Sequence, residues 1–424
     1  MIKFLLNGLL RDRQRSFFPI LIVAIGVWIT VFFHAYIQGV FGDLIDSTAR
    51  FSTGHVKVMS RAYSENADQK PNDLALMDVK KITADLRQQY PDMTWVKRIQ
   101  FGGLLDIPDE KGETRSQGPV FGMGVDLLSS DSREIEILNI EKSVVNGRMP
   151  QTPGEILISD QLAQKLGVSL GESATLLTST MYGSMTMHNF TVVGTVRFGM
   201  TVMDRGAIIA DISDVQYALD MDDACGEILG FFENRIYDDE KAAVIVNRFN
   251  TDYLEVEDEF APVMGKLIEL SNLSDYLKMG ENFSGILIII FVLIMSIVLW
   301  NVGLLGGLRR YGEVGLRLAI GEHKGHVYRS MIYESVLVGV AGSIIGTALG
   351  LGSAYWLQVY GFDISGLMKN INMMFPAVLR AEITQETYYV GFVPGLMSTV
   401  LGTALSGIGI YKRQTAQLFK ELET

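Results

Sequence analysis

The titratable and metal-ligating side chains of this sequence form few patterns that could support catalysis. His323 and His326 are three residues apart and could share a metal ion, but no cysteine or third histidine lies nearby. The sequence contains neither an H-E-x-x-H motif nor the G-x-x-x-x-G-K-[ST] loop that binds nucleotide phosphates. We therefore predict a chain that is not itself an enzyme and that holds no metal and no cofactor.

One charged segment is notable because it lies between two apolar stretches. Residues 312–322 read GEVGLRLAIGE, and Arg309 and Arg310 come just before them. Glu313 and Arg317 are four residues apart, in the acid-to-base order that supports a helix. A short amphipathic helix of this kind is suited to docking a soluble partner. The alternative is a simple turn whose basic residues mark the cytoplasmic side of a membrane.

Four apolar stretches are long enough, at about 20 residues or more, to cross the hydrocarbon core of a bilayer. They are residues 17–41, 283–308, 335–362 and 387–411. The alternative for any one stretch is a buried helix of a soluble core, but such helices normally keep a polar face. We predict four transmembrane helices, and therefore a membrane α-helical fold that contacts lipid.

The lysine and arginine residues near these stretches set the predicted orientation. Basic residues are concentrated in residues 1–16, 309–334 and 412–424, and are sparse in residues 363–386. Both termini and the 309–334 coupling loop are then cytoplasmic. The large insertion, residues 42–282, and the external loop, residues 363–386, lie on the opposite side. The segment 1–16 places its leucines on one face, which predicts an interfacial helix; a solvated tail is the alternative.

Residues 42–282 alternate between strand and helix patterns, which predicts an α+β extracytoplasmic domain with an antiparallel sheet. Val56 and Val58 alternate with polar residues, as in a half-buried strand. A strand pair is predicted around Gly102 and Gly103. The domain is predicted to contain two subdomains, one of them β-rich and covering about residues 130–205. Residues 255–282 are predicted to form a helical stalk that leads into the second membrane helix.

Because residues 42–282 are predicted to lie outside the membrane, most of the formal net charge of −12 lies there too, in an acidic domain, and this argues against nucleic-acid binding. Cys225 is the single cysteine, so an intramolecular disulfide is excluded, and we interpret it as a small buried hydrophobic residue.

The third apolar stretch has glycines at the spacing of closely packed helices. Small residues on one face let helices approach each other in lipid. We favour a second subunit as a contact for part of this face, and packing within the same chain is the alternative. The glycines concerned are Gly339, Gly342, Gly346 and Gly350.

The segment that follows the second apolar stretch resembles a motif, R-x-x-E-I-G-I-R-R-A-I-G-A, of the permease family that includes MacB, FtsX, LolC and LolE. These are the type VII ABC transporters. The external sequence "GEILISDQLAQKLGVSLGE…FTVVGTV" is similar to the periplasmic core domain of that family. Leu318 and Glu322 depart from the motif, as does the C-terminal sequence IYKRQTAQLFKELET. The positions that fit are Arg310, Glu313, Val314, Gly315, Leu316, Arg317, Ala319, Ile320 and Gly321.

The resemblance implies a permease of the bacterial inner membrane, working as a homodimer or as a heterodimer with a related permease. Two copies of a separate ABC ATPase subunit would bind ATP and Mg. ATP hydrolysis would drive extraction or export of a lipoprotein, lipid or other amphiphile by mechanotransmission, with a periplasmic lipoprotein or adaptor as a further partner. An FtsX-like regulator of a cell-wall hydrolase is the alternative. The implied ATPase-coupling residues are Arg309, Arg310, Glu313, Gly315, Arg317 and Gly321.

Overall fold

The computed structural model describes residues 13–253, 258–271, 273–363 and 378–412. The chain divides into two compact units. The helical unit comprises Met1–Asp43, Tyr276–Phe362 and Leu379–Thr424, and the sheet unit comprises Leu44–Asp275 and Asp363–Val378.

The described residues form α-helices and β-strands that we number in chain order. The helices are α1 (Arg13–Thr48), α2 (Arg61–Glu65), α3 (Val79–Gln89), α4 (Glu134–Ile137), α5 (Ile140–Ser143), α6 (Asp160–Leu166), α7 (Thr201–Gly206), α8 (Ile212–Leu219), α9 (Asp239–Asp252), α10 (Leu267–Leu270), α11 (Leu273–Ala319), α12 (Lys324–Tyr360) and α13 (Phe392–Lys412). The strands are β1 (Val56–Ser60), β2 (Met93–Pro108), β3 (Thr114–Val125), β4 (Val144–Gly147), β5 (Glu155–Ser159), β6 (Ser173–Ser179), β7 (Met185–Val196), β8 (Ala207–Asp211), β9 (Glu227–Phe232), β10 (Pro262–Lys266), β11 (Phe362–Asp363) and β12 (Val378–Leu379). A π-helical turn, Ala49–Thr53, follows α1.

Three helical segments of the described residues are long and apolar enough to cross a membrane: Phe17–Thr53, Lys324–Tyr360 and Glu386–Ile408. A shorter apolar segment, Gly285–Asn301, lies inside α11. These segments coincide with the four apolar stretches of the sequence. The second of the four predicted membrane helices, however, stays a prediction.

The predicted 309–334 coupling loop is wrong in its secondary structure. Helix α11 continues without a break to Ala319 and α12 begins at Lys324, so only four residues separate the two helices. Glycines inside a helix cost only about 1 kcal/mol each and do not by themselves end it. Of the predicted flanking segments, residues 1–12, 364–377 and 413–424 lie outside the described residues.

One hydrogen-bonded sheet organises the sheet unit. Its strand order is β10-β1-β9-β2-β3-β8-β5-β7-β4, and β6 pairs with both β2 and β7. Most pairs are antiparallel, as predicted, but β3 pairs with β8 and β5 pairs with β7 in parallel. The parallel pairs join strands that are separated by helices and other strands in the sequence, which supply the long crossover that a parallel pair requires.

The predicted strand pair around Gly102 and Gly103 is wrong, because both residues lie inside the single strand β2. Hydrogen bonds hold this strand along its length, since β9 pairs with its first part and β3 with its second. Pairing with the neighbouring strands thus keeps the chain extended at the two glycines, which have a low strand propensity of their own. The β-rich subdomain stays a prediction, because β4–β7 share one sheet with β2 and β8.

The predicted helical stalk at residues 255–282 is also wrong in its first half. Pro262–Lys266 form β10, which pairs with β1, and a short helix follows before α11 begins at Leu273. Residues 254–257 and 272 lie outside the described residues.

Buried hydrophobic side chains form several clusters in the sheet unit, and the largest includes Trp95, Phe101 and Phe190. Cys225 belongs to this cluster and is fully buried, which confirms that it acts as a small hydrophobic residue. Burial raises the pKa of its thiol to about 12.

Candidate functional site

The end of α11 is shaped by a glycine-dependent cap. The backbone N–H of Glu322 donates to the carbonyl oxygen of Arg317 (3.0 Å), and that of Gly321 donates to Leu318 (3.2 Å). These two bonds form a Schellman motif, which requires a left-handed residue after the helix. Gly321 supplies that conformation, with φ of +99°. The sequence pattern A-I-G therefore marks the end of a long helix rather than the middle of a short one.

This helix end presents an apolar surface to its surroundings. Leu316 is 59% exposed and Ile320 is 78% exposed, and they are four residues apart, near one face of the helix and its cap. The side chain of Arg317 between them is also exposed. Two exposed aliphatic side chains beside a basic residue are suited to docking on another protein. We call Leu316, Arg317, Ile320 and the Gly321 cap the coupling tip.

The structure places the predicted coupling residues along the last part of α11. Arg309, Arg310, Glu313 and Gly315 lie on its helical backbone, and the side chains of these residues lie outside the described part. Beyond the cap, His326 Nε2 lies 3.6 Å from a carboxylate oxygen of Glu322. Among the described residues no group of three side chains is placed to hold a metal ion.

The glycines of α12 do pack against helices, but against helices of the same chain. A Cβ atom on Gly346 would lie 2.5 Å from the carbonyl oxygen of Ala24, and one on Gly350 would lie 2.6 Å from Val31. The corresponding contacts of Gly342 and Gly339 are to α1 and α13. The glycines of this face therefore pack within the chain, against α1 and α13, and the predicted contact of part of the face with a second subunit stays a prediction.

Sequence reasoning missed a buried ionic cluster in the sheet unit. The carboxylate of Glu227 accepts hydrogen bonds from the ammonium groups of Lys57 (2.9 Å) and Lys70 (2.8 Å). Tyr63 and Gln100 lie at 3.4 Å from the same carboxylate. Glu227 and Lys57 are almost fully buried. The only sign of this cluster in the local sequence is Lys57, which lies between Val56 and Val58 of β1.

The carboxylate of Glu227, at the centre of this cluster, stays ionised. Burial by itself raises the pKa of Glu227, but Lys57 and Lys70 outweigh that effect and hold the pKa below its usual range. Burial lowers the pKa of Lys57, and Glu227 opposes this shift. A buried carboxylate that accepts bonds from two ammonium groups stays charged.

Two further polar interactions are buried in the sheet unit. Arg98 and Glu134 form a fully buried, two-point ion pair with N–O distances of 2.7 and 2.8 Å. His55 Nδ1 accepts a hydrogen bond from the backbone N–H of Phe232 (3.0 Å). Burial lowers the pKa of His55 to about 4, so its imidazole is neutral near pH 7.

Comparison with protein families explains this combination of units. A model described as MacB-like periplasmic core domain matches residues 16–252. A second, described as FtsX-like permease C-terminal, matches residues 285–415. The chain belongs to the MacB/FtsX permease family. It is a permease of the ABC-transporter type with a periplasmic-type domain, as the sequence motif predicted.

Individual relatives of this MacB/FtsX permease are distant. It is 26% identical over 250 residues to the lipoprotein-releasing system transmembrane protein LolC of Xylella fastidiosa, covering 57% of this chain and 56% of the relative. It therefore spans little more than half the length of that relative. The LolC protein of Haemophilus influenzae is 23% identical over 68% of each chain.

Two MacB proteins also resemble parts of this MacB/FtsX permease. The macrolide export ATP-binding/permease protein MacB of Chromobacterium violaceum is 29% identical over 103 residues, which is 23% of this chain and 16% of that protein. The solved periplasmic region of MacB from Actinobacillus actinomycetemcomitans aligns with a TM-score of 0.36 and 9% identity, over 52% of this chain and 92% of that one.

Proposed function

We propose that this chain is the permease subunit of an ABC transporter whose separate ATPase subunit drives extraction or export of an amphiphile outside the membrane. Two of its relatives are named for lipoprotein release and for macrolide export. In this proposal the chain works as a dimer, alone or with a related permease, and two ATPase copies bind the ATP and Mg. Both termini and the coupling tip face the cytoplasm, and Gly285–Asn301 forms the core of a fourth membrane helix.

The coupling tip is the observation that carries this proposal. Leu316 and Ile320 expose aliphatic surface beside a basic residue, at a rigidly capped helix end. Aliphatic side chains four residues apart on a helix are the anchors by which a helix docks in a groove of another protein. The basic residues around the tip favour the cytoplasmic side, where an ATPase would be available. Docking there would let ATP-driven movement reach α11.

The proposal is tested by replacing surface residues of the tip. Ile320→Asp places a charge in the proposed interface, and we expect at least a tenfold loss of ATPase copurification, since buried unpaired charges are costly in interfaces. Glu313→Lys is likewise expected to leave the protein in the membrane and to uncouple it. The ATPase used is an ABC ATPase subunit whose gene neighbours that of this permease.

Val244→Asp is the matched control, because Val244 is 69% exposed on α9 of the sheet unit. It should leave copurification and stimulated ATP hydrolysis at wild-type values. If Ile320→Asp also leaves both unchanged, the coupling tip is not the ATPase contact. Identifying the proteins that copurify with the sheet unit distinguishes the two functions. A lipoprotein or adaptor supports extraction or export, and a cell-wall hydrolase supports the alternative.

A further inference from the structure

A cavity of about 350 Å³ lies in the sheet unit, beside the buried ionic cluster. Strands β2 and β3 form its floor. Gln100 is directly opposite Met123, and Gly102 is directly opposite Phe121. Directly opposed residues of paired strands lie on the same face of the sheet, so these four residues present one surface. A Cβ atom on Gly102 would have no other atom within 4 Å, which means that this glycine leaves the floor open.

The greater part of the cavity wall is apolar. Phe51, Phe198 and Met203 line it together with the Phe121 and Met123 side chains of the floor. Aromatic rings and methionine side chains adapt well to flexible hydrocarbon. The volume falls at the small end of the range for ligand pockets, about 300–1,000 Å³, and is suited to one narrow apolar chain.

One end of the cavity carries an excess of positive charge. Lys70 lines the cavity, and its side chain remains 27% exposed although it is bonded to Glu227. Both ion pairs of Lys57 and Lys70 within the described residues go to this single carboxylate. Two ammonium groups therefore share one negative charge. An anion in the cavity next to Lys70 would balance the second ammonium group.

A buried hydrogen-bond acceptor lies beside this charge. The Asn72 Nδ2 atom donates to the carbonyl oxygen of Gln100 (3.1 Å), and this bond fixes the orientation of the amide. Its Oδ1 atom is buried and has no protein partner. Leaving such an acceptor without a donor costs about 1–3 kcal/mol. Because this atom has almost no exposed surface, an N–H or O–H group near the charged head of a ligand would reach it through a small shift of the side chains that line the cavity.

We propose that this cavity binds a single-chain anionic amphiphile, with its acyl chain between Phe51, Phe121 and Met203. The anionic group of the ligand contacts Lys70, and an adjacent amide or hydroxyl group donates to Asn72 Oδ1. N-acyl amino acids and monoacyl glycerophosphates share this chemistry. The idea that this cavity holds the transported cargo rests on the proposed transport function. Binding of the amphiphile itself can be measured without any ATPase.

The test uses the full-length chain in lipid nanodiscs. The probe is N-dodecanoylglycine with a photoactivatable diazirine near the end of its chain. After irradiation, labelled peptides are mapped, and labelling is expected on residues 51, 121 or 203. Unlabelled N-dodecanoylglycine should compete at least tenfold better than its neutral methyl ester. A monoacyl glycerophosphate and an N-acylated peptide are run as competitors to distinguish the two sources of ligand.

Two variants test the two ends of the cavity. Gly102→Leu fills the open floor and should reduce labelling at least tenfold, while Thr114→Leu, an exposed position on β3, should not. Lys70→Gln leaves Glu227 paired with Lys57, so the fold is retained. It should weaken competition by the acid about tenfold, as expected for a lost charge-assisted bond, and Lys70→Arg should restore it.

Equal labelling of the wild type and Gly102→Leu would overturn the proposed site. Equal competition by the acid and its methyl ester would overturn the role of Lys70. Either result leaves ATPase copurification through the coupling tip untouched, so failure of this inference differs from failure of the proposed function. Conversely, a wild-type chain that is labelled as expected but copurifies no ATPase would refute only the transport function.

Discussion

Lys57 shows how strongly single residues of this protein depend on distant partners. Its position between Val56 and Val58 predicts a half-buried strand with the lysine in solvent. In the structure the lysine is 3% exposed, because Glu227, 170 residues further along the chain, accepts its hydrogen bond. A local pattern cannot reveal a partner at that separation. Gly321 is the opposite case, since its need for positive φ is a property of the residue itself.

His55 gives a pH-dependent stability at the residue scale. The pKa of His55 is about 4 in the folded chain and 6.5 in the unfolded one, so only the unfolded state gains a proton in between. The contribution of neutral His55 to the free energy of unfolding is therefore fully present above pH 6.5 and is lost as the pH falls towards 4. Linkage at 1.36 kcal/mol per pKa unit gives a total loss of about 3 kcal/mol.

The measurement is urea unfolding of the full chain at pH 7 and at pH 5. Hydrogen exchange of β9 monitors the unfolding of the sheet unit. His55→Asn keeps an acceptor for the Phe232 N–H and should reduce the difference between the two pH values. His188→Asn, at a half-buried position on β7, is the control and should retain the wild-type difference. Identical pH dependence in wild type and His55→Asn would contradict this assignment.

Single elements were predicted well where their signals are local. Helix α6 has Ser159 as its N-terminal cap and ends at Gly167 in the left-handed conformation, and both residue types favour these positions by themselves. Strand β10 was mistaken for a helix, because its reason to extend is pairing with β1, which lies about 200 residues earlier in the chain. Non-local pairing decides strand conformation more than propensity does.

At the scale of helix packing, Gly346→Leu is expected to destabilise the helical unit rather than a dimer. Its side chain would collide with the backbone of Ala24 on α1 and with Val27. Overpacking of this kind costs about 1–3 kcal/mol, and more where backbone must move. Gly352 lies on the same helix with no atom near its Cβ position, so Gly352→Leu is the matched control.

The measurement is the apparent melting temperature of the purified protein in detergent, together with its crosslinked dimer fraction. Gly346→Leu should lower the melting temperature by several degrees, while Gly352→Leu should not. A normal melting temperature with a reduced dimer fraction would instead support the subunit interface predicted from the sequence.

The whole molecule makes a directional prediction for a membrane permease. Lys111, at the exposed β2–β3 turn, should lie on the outer side of the cytoplasmic membrane, and Ile320 should lie on its cytoplasmic side. In bacterial cells with a permeabilised outer membrane, an impermeant maleimide should label Lys111→Cys but not Ile320→Cys until the inner membrane is opened. Labelling of Ile320→Cys in intact inner membranes would contradict the orientation.

The native thiol does not disturb this experiment. Cys225 is fully buried, and its raised pKa of about 12 keeps it protonated and unreactive. The wild-type chain, which has no other cysteine, is therefore the unlabelled control.

The membrane helices and the family motif followed from sequence because they depend on composition over a single segment. The cavity and its charged end did not. Lys70 lies in a loop, and Gln100 and Phe121 lie on β2 and β3. The pairing of these strands and the ion pair of Lys70 with Glu227 bring the three to one place.

The pairing of β1 with β10 has a mechanical consequence. Val56, close after α1, pairs with Lys266, close before α11, and the pairing runs from there to Ser60 and Pro262. A force that drew these two chain ends apart would act on the pair at the open end and peel the strands one hydrogen bond at a time. Such peeling needs little force. A movement that carries both chain ends together therefore leaves the pairing of β1 with β10 intact, whereas a movement that separates the ends breaks it.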